Sequence, residues 1–116
     1  FSAEVRGPDG TAGSLFTTAE ALTGAGVVQN PCSEDLMITT WSTCLVSGGE
    51  AMGTGMWFWP AACGDAPTDW TIPAGGSIED TAWMSTKPAG SWLFNVRFDY
   101  GGHLESTTFT VVEAEE

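Results

Sequence analysis

The sequence predicts an all-β fold, with antiparallel strands in two layers around one core. Three observations carry this. Helix character is confined to TTAEAL, residues 17 to 22, which is short and runs into Gly24 and Gly26. Elsewhere short apolar-alternating runs are divided by turn residues roughly every 8 to 12 positions, the spacing of a sandwich or barrel. The chain has 116 residues, 42% of them hydrophobic, which suffices for one core but not for two domains.

The elements follow in order. Residues 1–12 are an N-terminal strand or arm, with SAEVRG (2–7) closed by the turn GPDG. The body spans 13–112. SLFTTAEALTGAGVVQN (14–30) holds one long strand or two. NPCSED is a turn, because Asn, Pro, Ser and Asp all favour one. LMITTW (36–41) is a strand with Leu36, Ile38 and Thr40 on one face, and VSGGE is expected to turn. AMGTGMWFW is a strand in which Gly53 and Gly55 suggest a bulge or a close backbone approach. Pro60 ends it, PAACGDAPTD is a loop, WTI a short strand and IPAGGS a turn. SIEDTAWM (77–84) precedes the turn TKPAG. SWLFNVRFDY (91–100) is the clearest strand, with Trp92, Phe94, Val96 and Phe98 on one face. After GG comes HLESTTFTVV (103–112), where Leu104 and Phe109 fall on opposite sides of the alternation and suggest a bulge. Residues 113–116, EAEE, are an acidic tail. Seven or eight strands in about 100 residues is the size of an immunoglobulin-like antiparallel β-sandwich.

Several of these segments also carry a resemblance. Asn30–Pro31, then WTIPAGGSIEDTAW, AGSWLFNVRF and FTV near the end stand in a familiar order. The series resembles bacterial immunoglobulin-like domains, including the intracellular proteinase inhibitor type. It covers about residues 20–112 and implies a sandwich far more strongly than inhibition. The three cysteines depart from that pattern, and no inhibitory residue is carried over.

Charge restricts the partners. Lys and Arg total 3 against 15 Asp and Glu, a formal charge of -12. Nucleic acid is not expected, because there is no basic patch to displace phosphate counterions. An anionic membrane would repel the chain, and no apolar run is long enough to insert. Such acidity fits either a high-salt habitat or an acidic secreted protein.

Cys32, Cys44 and Cys63 form neither a CxxC nor a cysteine–histidine zinc pattern. They are three buried thiols of a cytosolic protein or the mark of an exported domain with one disulfide. The second reading is preferred, with Cys44 paired to Cys63 across a candidate hairpin and Cys32 unpaired or bonded to another chain. The expected location is then extracellular or at the cell surface. FSAEVRGPDG lacks the basic start and apolar stretch of a signal peptide, so an export signal would already have been removed.

No catalytic, metal or cofactor site is expected. His103, the single histidine, sits beside GG at a hairpin, and there is neither a GxSxG nor a phosphate loop. Met52, Met56, Cys63 and His103 as a copper site, or Asp65 and Asp69 or Glu34 and Asp35 as a calcium site, lack a supporting pattern.

Six tryptophans exceed what one core of this size needs. Trp57, Trp59 and Trp70 are the candidate platform for a ligand or interface. The sequence thus suggests a non-enzymatic exported structural or adhesive module, such as a self-associating subunit of a cell-surface filament. Its partners would be copies of itself or other surface proteins. Phe1, Ala3 and Val5 would supply a strand to a neighbour's sheet edge, or else pair within their own chain. The alternatives are a carbohydrate-binding module using the tryptophans against polysaccharide, and a proteinase inhibitor presenting PAACGDAPTD.

Overall fold

The computed structural model describes residues 1–51, 57–59 and 63–114; for Glu50 and residues 57–59 the description is of the backbone alone. Among the described residues there are ten strands and no helix. They are β1 (Ser2–Arg6), β2 (Leu15–Thr17), β3 (Leu22–Gln29), β4 (Leu36–Thr40), β5 (Val46–Ala51), β6 (Trp57–Trp59), β7 (Thr68–Ile72), β8 (Ser77–Ser85), β9 (Gly90–Phe98) and β10 (Leu104–Val112). Three sheets result, ordered β1-β3-β8, β2-β10-β9-β5-β6 and β4-β7. Pairing is antiparallel except for β2, which runs parallel to β10.

The two larger sheets share one core. Val5, Leu22, Val28 and Met84 of the three-stranded sheet join Phe16, Val46, Phe94, Val96, Phe98, Phe109 and Val111 of the five-stranded one. The alternation in β9 works as expected, burying Phe94, Val96 and Phe98 on one side, with Trp92 half-buried behind them. Glycine governs how closely the sheets approach. A Cβ on Gly24 would stand 2.5 Å from Cζ of Phe94, and one on Gly26 would stand 2.7 Å from Cγ2 of Val46. Neither position has room for a side chain, so the aromatic rings of β9 lie directly on the backbone of β3.

Several expectations are corrected. VSGGE is strand β5 rather than a turn. Val46, Gly48 and Gly49 are buried, and the ladder to β9 shifts register between Val46 and Gly48. The glycines there mark a bulge. The final strand has no bulge: Leu104 to Val111 pair with Arg97 to Gly90 in unbroken register, and Leu104 simply faces solvent. TTAEAL is the end of β2, a turn and the start of β3. The Glu20 carboxylate accepts the Thr17 N–H at 3.0 Å, fixing that turn. Strands outnumber the seven or eight expected because residues 14–30 hold two strands and VSGGE, expected to turn, is β5. The bulge anticipated at Gly53 and Gly55 lies outside the described residues, as do Met52, Met56 and Pro60.

Candidate interaction surfaces

Residues 2–6 pair with β3 of their own chain, Ser2 opposite Val27 through Arg6 opposite Thr23. Val5 is buried and Ala3 packs on the core. Phe1 seats its ring against Phe98 at 4.9 Å, His103 at 4.6 Å and Tyr100 at 5.7 Å. The three residues read as a strand-addition arm are therefore engaged in their own fold. The outer edge of β1 is also partly occupied, since Gly13 N–H donates to the Val5 carbonyl and Ala12 bridges Arg6.

The four tryptophans with described side chains divide into two groups. Trp70 is half-buried against the core, and its indole N–H donates to Thr40 Oγ1 at 2.9 Å. Trp92 stacks on Phe109 and donates to the Pro88 carbonyl. Both are spent within the fold, as an amphipathic ring with one polar atom allows. Trp41 and Trp83, by contrast, are 68% and 72% exposed. Neither was among the expected platform residues. Trp83 carried a legible signal, because it shares its face of β8 with Ser77, Glu79 and Thr81. Trp41 lies just beyond β4, which exposes Leu36, Met37 and Thr39. The side chains of Trp57 and Trp59 lie outside the described residues.

The outer face of the three-stranded sheet is organised by one cation. Arg6 stands on β1 and Glu79 on β8, with β3 between them. The guanidinium crosses β3 to hold Glu79 with two hydrogen bonds and also bonds Glu4 of its own strand. Ala25 and Val27 lie on the β3 face beneath and are buried. Hydrogen bonding to Glu79 raises the Arg6 pKa, and the same bonds hold the Glu79 carboxyl below the usual carboxylate range. In a chain with three lysines and arginines, Lys87 too is used internally: it donates to the Met84 carbonyl at 2.6 Å, and burial lowers its pKa.

Buried polar groups fasten the loops. Asn30, fully buried, donates through Nδ2 to the carbonyls of Glu34 and Ile72, and its Oδ1 accepts the Cys32 N–H. It thereby joins the NPCSED turn to the Pro73–Gly76 turn, beside a shallow depression of about 290 Å³ lined by Gln29, Asn30, Pro31, Gly75, Gly76 and Ser77. Asp80 accepts the backbone N–H groups of Leu45 and Val46, both at 3.0 Å. Asp99 accepts from both the N–H and the hydroxyl of Ser42.

Cys44 and Cys63 form the disulfide that the spacing favoured, with Cα atoms 5.6 Å apart. Thr43 and Gly64 reinforce it by exchanging hydrogen bonds next to the bridge. Cys32 is free and exposed. His103 contacts Glu105 at 3.0 Å and packs on Phe1, which gives it a structural occupation. Among the described residues no three His, Cys, Asp or Glu side chains gather to hold a metal ion. Among the described residues no helix is long and apolar enough to cross a membrane.

No known family model and no curated protein matches this chain.

Proposed function

We propose that the protein is an exported, non-enzymatic structural or adhesive module, an immunoglobulin-like β-sandwich that works by associating with copies of itself or other surface proteins. The observation that carries the reading is the aromatic surplus at the surface. Trp41 and Trp83 stand in solvent while Trp70 and Trp92 are satisfied inside. Tryptophan is among the residue types most enriched at interface hot spots. The sheet orders β1-β3-β8 and β2-β10-β9-β5-β6, sharing one core, support the immunoglobulin-like assignment. The Cys44–Cys63 disulfide supports an oxidising compartment.

Light scattering over a concentration series tests the reading, with non-reducing gels run alongside to detect covalent dimers through Cys32. Concentration-dependent association, reduced by Trp41→Ala or Trp83→Ala, is the expected result. A monomer at every concentration that also binds no surface protein would overturn it. Glycan-array binding abolished by Trp41→Ala would transfer the conclusion to a carbohydrate-binding module.

A further inference from the structure

We propose that the open edge of β8 is the self-association site, pairing antiparallel with β8 of a second copy about a two-fold axis at Thr81. This rests on the self-association reading above and specifies its interface. Among the described residues β8 pairs with β3 on one side and with no strand on the other. Among the described residues the remaining edges are shorter or obstructed. β2 and β6 have three residues each, β4 and β7 five each, and β1 is partly covered by residues 12–13. Ser77–Ser85 contains neither lysine nor proline, and its edge charges are already engaged: Glu79 is held by Arg6, Asp80 turns inward to the N–H groups of Leu45 and Val46, and Lys87 reaches only the Met84 carbonyl at the irregular end of the strand.

The strand's own sequence selects a second copy and a register. The regular part of β8 runs from Ser77 to Trp83, because the ladder to β3 shifts beyond that point. Centring a two-fold on Asp80 or Glu79 would set like carboxylates directly opposite each other, which is destabilising. Centring it on Thr81 avoids both clashes. Glu79 then faces Trp83 of the mate on the outer face, and Asp80 faces Ala82 on the inner one. Trp83 covers the mate's Glu79, whose charge is already neutralised by Arg6. The indole thereby gains a guanidinium neighbour in place of water. An axis perpendicular to the sheet keeps both outer faces on the same side, giving a continuous six-stranded sheet. The chain's charge of -12 opposes the approach of two copies, so association should strengthen with salt.

Oxidative cross-linking of Thr81→Cys in a Cys32→Ser background tests the register, since directly opposed residues sit within disulfide reach. Expected are a covalent dimer and amide-exchange protection of residues 79–83 in the Cys32→Ser protein that grows with concentration and with added KCl. Trp83→Ala should weaken the dimer by roughly tenfold or more. Thr71→Cys, on the exposed face of β7, should not cross-link; equal yields from both cysteines would mean random collision and overturn the proposal. A dimer by light scattering in which residues 79–83 exchange as in the monomer and Thr81→Cys stays unlinked would also overturn it, leaving the broader reading intact. A monomer at all salt and protein concentrations, with no covalent product, removes self-association altogether.

Discussion

Gly26→Ala should destabilise the fold although it adds one methyl group to a strand. The new Cβ would lie 2.7 Å from Cγ2 of Val46, 2.9 Å from Cγ1 of Val96 and 3.2 Å from Cε1 of Phe98. Carbon atoms pack best at roughly 3.5–4.0 Å, so about 1 Å of relief is needed. All three neighbours are fully buried on strands of the facing sheet, so either they leave their rotamers or the sheets part. Overpacking of this kind costs about 1–3 kcal/mol. Replacing glycine also restricts the unfolded chain, which returns about 0.4–1 kcal/mol. The net loss should be about 1–2 kcal/mol, read in urea as a lower midpoint with an unchanged slope. Gly13→Ala is the control, because its Cβ would meet Phe16 at an ordinary 3.6 Å. A Gly26→Ala protein as stable as the parent would refute the claim that these glycines set the distance between the sheets.

Asn30→Ala should cost roughly 2–4 kcal/mol in the same assay, because it strands the carbonyls of Glu34 and Ile72 and the N–H of Cys32. Asn30→Asp should be no better, since a carboxylate cannot donate to those carbonyls. Glu79→Gln should lower stability at neutral pH by about 1 kcal/mol or less, as the pair is partly exposed. Arg6 depresses the Glu79 pKa in the folded state, so the contribution is complete above the unfolded value near pH 4.3. It is lost as pH falls through the depressed value, and the mutant and parent denaturation midpoints should converge there. Reducing the Cys44–Cys63 bridge should remove about 3 kcal/mol in the chain-entropy model, measured by urea titration with and without dithiothreitol.

The strands that were legible in the sequence are those with simple alternation and clear boundaries. SWLFNVRF announced β9 because every second residue is large and apolar, and IPAGGS announced the turn before β8. The Cys44–Cys63 pairing was legible because both cysteines flank one candidate hairpin. β5 was hidden because VSGGE has the composition of a turn, and only its partner β9 makes it a strand. Leu104 misled in the opposite way: an exposed leucine on an otherwise polar face imitates a shift of register. The candidate surface was less legible still. Trp70 reads as an available ring in the sequence, but Thr40 holds its N–H, a contact 30 residues away in the chain. Arg6 and Glu79 lie 73 residues apart, and nothing local connects them. Trp83 could have been read from its polar companions, but an exposed tryptophan runs against the usual assumption that the largest apolar residue belongs inside.

The disulfide has a topological side as well. Cys44 and Cys63 are 19 positions apart, so the chain between them is a covalent ring containing Trp57, Phe58 and Trp59. A protease that cuts one peptide bond in this ring opens it without releasing a fragment, and the two halves remain one molecule until the bridge is reduced. In an environment rich in secreted proteases, the aromatic segment could be nicked and still stay attached to the sheet that carries it. On a gel such a chain would run as intact without reductant and as two pieces with it.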